Sequence, residues 1–234
     1  MRQLEQQQCG LCGVHQDNLF CGLSSEFRER LELGSTVQTF RKGQTVFQQG
    51  SPAFAVHCLR SGRLKLFKTT RRGDRQVLRL LGAGDIVGFR ALLAEEPYAA
   101  SAEALTETTA CLIPRPILTE MLRESPDFGM QVMAKLAVEL RISEDQLLSM
   151  VHHTVKERAA ALLLSLIEIP PGTTPNGEFP LTRLRRGELA QIIGTTPESF
   201  SRTLRHFADR NLIRLDRTDI VITNRTALEL IAAG

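Results

Sequence analysis

The chain lacks a long apolar run. Its longest apolar stretch, residues 159–167, is too short to cross a bilayer and contains Ser165. The Gln/Glu-rich start has no apolar core of the kind that a signal peptide needs. With 42% hydrophobic and 24% charged residues among 234, the composition is that of an ordinary soluble protein. We therefore expect a cytoplasmic protein that does not enter a membrane.

The sequence also lacks the signatures of common enzymes. It contains no nucleophile motif, no phosphate-binding glycine loop and no metalloprotease pair. His152 and His153 are adjacent, so they point to different faces of a helix. The net charge is only +3, and neither half of the chain is a polybasic tail. We predict that the protein is not an enzyme, and charge alone does not identify a partner.

The five cysteines are an odd number, which favours metal ligands, redox sensors or buried thiols over a disulfide framework. The first 24 residues, which have too little apolar content to form a core, contain Cys9, Cys12 and Cys21. The Cys-x2-Cys spacing lets two thiolates bind one metal ion, and three ligands leave a tetrahedral site one short. The fourth could be Cys58, Cys111 or His15, and a Cys-rich leader without metal is the alternative.

Residues 35–114 have the pattern of a β-structure. Five glycines separate short segments with strand character, which are residues 56–59, 64–67, 77–80 and 109–113. Turn residues at intervals of roughly 8–12 residues indicate an all-β sandwich or barrel, and we predict a β-roll. A short helical segment at 88–93 interrupts the strands, and a helix at 115–124 leads to a longer one.

A long helix is predicted at residues 125–151, where Pro126 and Asp127 suit its first turn. At 1.5 Å per residue it would be about 40 Å long. Residues spaced alternately by three and four form a heptad seam: Met133, Leu136, Leu140, Ser143, Leu147 and Met150. Such a stripe favours packing on the same helix of a second copy. Phe128, Val132 and Val138 lie off the seam and support the alternative, a core helix within one domain.

After residue 151 the pattern becomes helical. Thr154 can cap a helix running to residue 169, and residues 170–180, rich in Pro, Gly and Thr, are predicted to be a loop. A helix at 186–193, a turn at 194–196 and a helix from Pro197 to about Asn211 form a helix-turn-helix. Strands at 212–215 and 220–222, on either side of residues 216–219, make the unit winged.

The second helix of this motif has one apolar and one polar face. The apolar face has Phe200, Leu204 and Phe207, and the polar face has Glu198, Ser201, Arg202 and Arg205. In a major groove, Arg can donate twice to guanine, Glu can accept from cytosine, and Ser can serve a base or a phosphate. An exposed amphipathic helix with solvated charges is the alternative. The turn, the wing and a nearby basic group of Arg183, Arg185 and Arg186 favour DNA binding.

Several short motifs of the chain resemble those of a known family. Residues 194–202, GTTPESFSR, resemble the recognition-helix signature of the CRP/FNR family of bacterial transcription regulators, and their Glu-x-x-Ser-Arg core resembles its FNR branch. The likeness continues in RGELA at 186–190, GAGDIVGF at 82–89, RSG at 60–62 and KGQ at 42–44. The resemblance implies an α+β chain: an N-terminal β-roll like the cyclic-nucleotide-binding jelly roll, a long dimerisation helix and a C-terminal winged helix-turn-helix.

From this resemblance we expect four parts. They are a Cys-rich leader at 1–24, a sensor β-roll at 25–124, a dimerisation helix at 125–151 and a DNA-binding domain at 152–234. In the FNR branch three N-terminal cysteines and one from the roll hold an oxygen-labile [4Fe–4S] cluster. The matching residues are Cys9, Cys12, Cys21 and Cys111. Cys58 has no counterpart and is expected to be a small core side chain.

Two departures from the family pattern bear on the input signal. The gap between Cys12 and Cys21 is longer than in the best-known member, and spacing does not separate an iron–sulfur cluster from zinc. Where cyclic-nucleotide binders carry a glutamate and an arginine, this chain has Phe89 and Ala100, so a phosphate would lack its main charge partner. Arg90 lies nearby and leaves one positive charge that a phosphate could use.

The resemblance implies a homodimer that senses oxygen or redox state and binds a palindromic operator with half-sites close to TTGAT, with RNA polymerase as a further partner. The expected DNA contacts are Arg186, Thr196, Glu198, Ser201, Arg202 and Arg205. The alternatives are a cluster-free regulator that senses through a thiol, haem or small molecule, and a zinc-binding scaffold without DNA affinity.

Overall fold

The computed structural model describes residues 19–20, 23–167, 179–180, 185–216 and 219–234. The chain divides into two compact units between Glu139 and Leu140, a point inside its longest helix. In these ranges no helix is long and apolar enough to span a membrane.

The first unit is mainly β-structure, as predicted. Its strands are β1 Thr36–Phe40, β2 Thr45–Phe47, β3 Ala55–Ser61, β4 Leu64–Thr69, β5 Arg75–Leu81, β6 Ile86–Val87, β7 Ser101–Ala104 and β8 Thr108–Pro114. Its helices are α1 Ser25–Gly34, α2 Phe89–Leu93, α3 Arg115–Glu124 and the first part of α4 Pro126–His152. The four segments predicted to be strands lie in β3, β4, β5 and β8. The helices predicted at 88–93 and 115–124 are α2 and α3.

Two antiparallel four-stranded sheets make the roll. One has the strand order β1-β8-β3-β6 and the other the order β2-β7-β4-β5. Because alternate residues of a strand face opposite sides of its sheet, β3 contributes to two separate apolar clusters. Leu59 belongs to the cluster that we call the roll core, with Phe47 and Tyr98. Val56 and Cys58 belong to a second cluster, the helix-side core, which is completed by α1, α3 and the start of α4.

Helix α1 was not predicted from the sequence. The Ser24 hydroxyl accepts a hydrogen bond from the Phe27 amide at 3.3 Å and so caps its first turn. Leu31 is completely buried in the helix-side core, and most of the other α1 side chains are exposed or half-buried. A helix with one deeply buried side chain gives only a weak periodic signal, which explains the omission.

His57 lies on β3 with its ring against the roll core, 5.3 Å from the Phe47 ring and 6.5 Å from the Tyr98 ring between centroids. Its Nδ1 atom is buried and has no hydrogen-bond partner among the residues that the structure describes. Burial lowers the pKa of His57 from 6.5 to about 4, because the charged ring would lose its hydration there.

We expect His57 to make the protein acid-sensitive. Between pH 6.5 and 4 the unfolded state binds a proton that the folded state does not, so the free energy of unfolding falls as the pH falls. The loss amounts to about 3 kcal/mol over that window. Urea unfolding at several pH values checks it. His57→Phe should remove most of this part of the pH dependence, and a variant with an unchanged pH profile would contradict the assignment.

The second unit contains the predicted helix-turn-helix and wing. Its elements are the end of α4, α5 Val155–Ser165, β9 Phe179–Pro180, α6 Arg186–Ile192, α7 Pro197–Asp209, β10 Ile213–Asp216, β11 Asp219–Ile222 and α8 Arg225–Ala233. A three-stranded antiparallel sheet has the order β10-β11-β9. The capping box at Thr154 and Glu157, the turn after α6 and the wing hairpin confirm the predictions, whereas α8 was not predicted.

Two boundaries predicted in this unit were wrong. Helix α5 ends at Ser165 and does not run to residue 169, because the amides of Leu166 and Ile167 already bond to carbonyls three residues back. The predicted loop at 170–180 ends in a short strand, β9, which pairs with β11. Pro180 is tolerated there because β9 is an edge strand. The rest of that loop lies outside the described residues.

Helix α4 is a single helix of 27 residues, which confirms the predicted long helix. Phe128 and Val132, in its first two turns, are buried in the helix-side core, so the core-helix alternative holds for that part. Most of the heptad seam is different. Met133, Leu140, Leu147 and Met150 are 45–64% exposed, Ser143 is exposed, and only Leu136 is half-buried.

Candidate functional site

The helix-turn-helix is set by local chemistry at the start of α7. Gly194 has φ of 62°, the left-handed region that the tight turn needs and that glycine enters without strain. The Thr196 hydroxyl accepts a hydrogen bond from the Ser199 amide at 3.2 Å, and Pro197 occupies the first helical position. Glu198 follows in the first turn, near the positive end of the helix dipole.

The two faces of α7 are those predicted. Phe200, Leu204 and Phe207 are completely buried and attach the helix to its unit. On the opposite side Glu198, Arg202 and Arg205 are exposed and Ser201 is half-buried. These four residues and Pro197 line one shallow surface pocket of about 450 Å³. The structure therefore brings four of the predicted DNA-contacting side chains together on one open surface.

A second groove of about 550 Å³ lies beside the first. It is lined by the start of α5 and the flank of α7: Thr154, Val155, Lys156, Ser199, Arg202, Thr203 and His206. Burial, followed by the positive charges of Lys156 and Arg210, lowers the pKa of His206. Lys156 and Arg202 place positive charge along the groove, which suits a phosphate backbone. The groove lies next to the polar face of α7, which we call the reading face: Glu198, Ser201, Arg202 and Arg205. Lys156 was not predicted to be a DNA contact, because it lies on α5 and the signature lies on α7.

The remaining predicted contact, Arg186, is exposed at the first position of α6. Arg185 precedes it and is also exposed, and the Arg185 amide donates to the Glu188 carboxylate at 3.3 Å. Arg183 lies outside the described residues.

Arg158 on α5 links three parts of the second unit and was not identified from the sequence. Its Nε donates to the carbonyl of Ile193, in the turn after α6, at 2.9 Å. Its Nη1 donates to the carbonyls of Met150 at 3.3 Å and His153 at 2.6 Å, at the end of α4. These partners are backbone carbonyls, which carry no side-chain signal in a sequence. The last turn of α4 and the helix-turn-helix are therefore joined through one guanidinium group.

On the sensor side, Cys111 lies on β8 and is completely buried in the helix-side core. Its thiol donates to the Ser35 hydroxyl, with 3.3 Å between Sγ and Oγ. Cys58 is also completely buried, which confirms the expectation that it is a core side chain. The other three predicted ligands, Cys9, Cys12 and Cys21, lie outside the described residues. No group of three metal-binding side chains occurs in the part of the chain that is described.

The described end of the leader reaches the same core. Leu19 and Phe20 are buried in the helix-side core, where Cys111 also lies. The Phe20 ring stacks on Phe128 of α4 with 5.9 Å between centroids. Cys21 is the next residue in the chain after Phe20. The leader, the roll and α4 thus share one apolar cluster, a coupling that the polar leader sequence did not reveal.

At the positions that correspond to a cyclic-nucleotide site, Phe89 is 3% and Ala100 is 7% exposed. Neither can offer a charge to a ribose phosphate. Arg90 is exposed on α2, next to this place.

A β-roll in one unit and a winged helix-turn-helix with a basic reading face in the other define a DNA-binding transcription regulator. Residues 37–125 match the cyclic nucleotide-binding domain family, and residues 157–231 match the Crp-like helix-turn-helix domain family. The chain belongs to the CRP/FNR family of transcription regulators, not to an enzyme family.

Relatives and solved structures agree with this assignment. The fumarate and nitrate reduction regulatory protein of Escherichia coli strain K12 is 30% identical over 235 residues, 96% of this chain and 93% of that protein. The protein of the same name from Yersinia pestis is 31% identical over 196 residues, 83% of this chain and 77% of that protein. FixK2 from Bradyrhizobium japonicum has the same fold, with a TM-score of 0.74 at 24% identity, and the match covers 86% of this chain and 98% of FixK2.

Proposed function

We propose that this regulator senses oxygen or redox state through a [4Fe–4S] cluster held by Cys9, Cys12, Cys21 and Cys111. The observation that carries the proposal is the shared apolar cluster that joins the end of the leader to Cys111 and α4. The sequence homologues named for fumarate and nitrate reduction support the choice of branch. A redox-active group of this kind supplies a ligation state that oxygen can change.

The donor chemistry of the described residues fits such a group. Thiolates are the ligands of iron–sulfur clusters, and Cys111 is a thiol. When Cys111 is ionised, the Ser35 hydroxyl at 3.3 Å can turn and donate to its sulfur. The apolar side chains around Cys111 restrict the approach of water. The leader would bring three thiols to a fourth that is already fixed.

Ligation would tie the leader to the roll. A site that joins distant segments couples binding to folding, so the contact of Phe20 with Phe128 becomes firmer when Cys21 and Cys111 are held together. Phe128 and Val132 fix the first turns of α4 on the helix-side core. Loss of the group would loosen this contact and change how α4 presents its seam.

The exposed seam on α4 is the proposed dimer interface. Met133, Leu140, Leu147 and Met150 present apolar surface on one stripe of the helix, and burial of such surface favours association. Met150 also connects the seam to the helix-turn-helix. Its carbonyl accepts a hydrogen bond from Arg158, and Arg158 also donates to the carbonyl of Ile193 in the turn after α6. Two paired helices would therefore fix two reading faces together on a palindromic operator.

We expect Leu147→Glu to break the dimer. Leu147 is 64% exposed in one chain, and a carboxylate there would be buried against its symmetry mate at large cost. Leu230 on α8 is 72% exposed and lies off the seam, so Leu230→Glu is the matched control. Sedimentation should show a dissociation constant raised at least ~100-fold for the first variant and unchanged for the second. Equal behaviour of both variants would contradict the seam.

The proposal is tested by anaerobic purification. Iron and acid-labile sulfide should be present at about four each per chain, with a brown colour that air bleaches. A preparation with zinc and no iron would overturn the cluster and favour a zinc site. A colourless preparation without metal that still binds DNA would favour a thiol or small-molecule sensor. RNA polymerase and the TTGAT-like half-site remain predictions from the family resemblance.

A further inference from the structure

The two buried cysteines of the roll face each other across neighbouring strands. In the register of β3 and β8, Cys58 stands directly opposite Cys111. The same row continues to Val37 on β1 and Ile86 on β6. Cys58 and Cys111 are both completely buried, and both belong to the helix-side core. The pairing could not be predicted from the sequence, because 52 residues lie between the two cysteines.

The register places Cys58 and Cys111 at a backbone separation that suits a disulfide. Directly opposed residues of an antiparallel pair have Cα atoms about 4.5 or 5.5 Å apart. A disulfide needs a Cα separation of about 4.4–6.8 Å, so either kind of pair satisfies it. Both side chains are on the same face of the sheet, so little backbone movement is required. We propose that Cys58 and Cys111 form a reversible disulfide, which makes Cys58 the redox partner of the cluster ligand.

The reaction needs an oxidant, and a peroxide is the class that fits. The Cys111 thiolate attacks one peroxide oxygen, the O–O bond breaks, and Cys111 becomes a sulfenic acid while hydroxide leaves and takes up a proton. Cys58 then attacks the sulfenic sulfur, a sulfur–sulfur bond forms, and hydroxide leaves with the proton of Cys58 as water. The two thiols lose two electrons, and hydrogen peroxide becomes two waters.

Cys111 is the better first nucleophile of the two. The Ser35 hydroxyl is 3.3 Å from its sulfur and can donate to the thiolate. Its other cross-strand neighbour, Val37, is 51% exposed on the edge strand β1, so a small oxidant has the shorter path to Cys111 from that side. Cys58 is covered on both sides by Cys111 and the buried Ile86.

The consequence concerns recovery from oxidation. A Cys111 held in a disulfide has no thiolate to offer to iron, so reassembly of the metal site would wait for a reductant. This consequence rests on the proposed function, since it takes Cys111 to be the fourth ligand. The disulfide itself does not depend on it.

The test uses the full chain with Cys9→Ser, Cys12→Ser and Cys21→Ser, which leaves Cys58 and Cys111 as its cysteines. Treated without air with hydrogen peroxide, the monomer should lose about 2 Da, resist alkylation in denaturant, and recover both thiols with a dithiol reductant. Adding Cys58→Ala should abolish the 2 Da loss. Two alkylatable thiols after peroxide, a gain of oxygen at either cysteine, or a link between two chains would overturn the proposal.

This variant retains none of the leader thiols, so the outcome does not depend on iron. The iron content of the unaltered chain tests the proposed function separately. If the wild-type protein carries zinc or no metal but still forms a Cys58–Cys111 disulfide with peroxide, the disulfide is supported and the iron–sulfur cluster is contradicted.

Discussion

Replacing Cys111 by Ser is expected to remove the brown chromophore and nearly all iron, and to leave the protein folded. Serine matches the shape of cysteine closely, so the helix-side core should tolerate it, whereas a neutral hydroxyl is a poor ligand for iron. Cys9→Ala, Cys12→Ala and Cys21→Ala should have the same effect on colour. The measurement is the visible spectrum and iron content of anaerobic preparations.

Cys58 provides the matched control, because it is equally buried and directly opposite Cys111. Cys58→Ser should keep the chromophore at the wild-type level when the protein is prepared without oxidant. If Cys58→Ser and Cys111→Ser lose iron alike, the fourth ligand has been assigned to the wrong cysteine or the loss reflects damage to the core. Circular dichroism distinguishes these two outcomes.

The second large effect is expected on the reading face of α7. Arg202 is exposed there, and by the family resemblance it should donate twice to the guanine of the half-site. Arg202→Ala should cost about 1–3 kcal/mol on the palindrome and relax the preference at one base pair. Glu198→Ala should do the same at the cytosine opposite that guanine or at an adjacent base pair.

The control is Arg186, which is exposed at the start of α6 and is expected to contact the phosphate backbone. Arg186→Ala should weaken binding to all sequences alike and reduce the dependence of affinity on salt. Binding curves on the palindrome and on single-base variants, at two salt concentrations, distinguish the two kinds of contact. If Glu198→Ala lowers the affinity equally for every DNA sequence, Glu198 does not read a base.

Much of this architecture was predictable because its signals are local. Glycines mark the turns of the roll, and the capping box at Thr154 is readable in the chain itself. Helix α7 has an especially clear pattern, with three completely buried apolar residues on one face and charged residues on the other. Such features need no knowledge of distant contacts.

What was missed depends on contacts between segments far apart in the chain. The stacking of Phe20 on Phe128 and the pairing of Cys58 with Cys111 follow from sheet register and helix docking. Arg158 donates to backbone carbonyls, and every residue has a carbonyl, so the sequence does not show which ones it will contact. Helix α5 ends earlier than predicted because its last turn is tightened by hydrogen bonds to carbonyls three residues back. Helix propensity alone does not determine the residue at which a helix ends.

We propose that the state of the site at Cys111 controls DNA binding. The most direct test is the affinity of one anaerobic preparation for the palindromic operator, measured before and after brief exposure to air, with Cys111→Ser treated in parallel. We predict that air bleaches the wild-type protein and weakens its binding at least ~10-fold, which is about 1.4 kcal/mol, whereas the affinity of Cys111→Ser is low throughout and does not respond. Bleaching with unchanged operator affinity would contradict the claim.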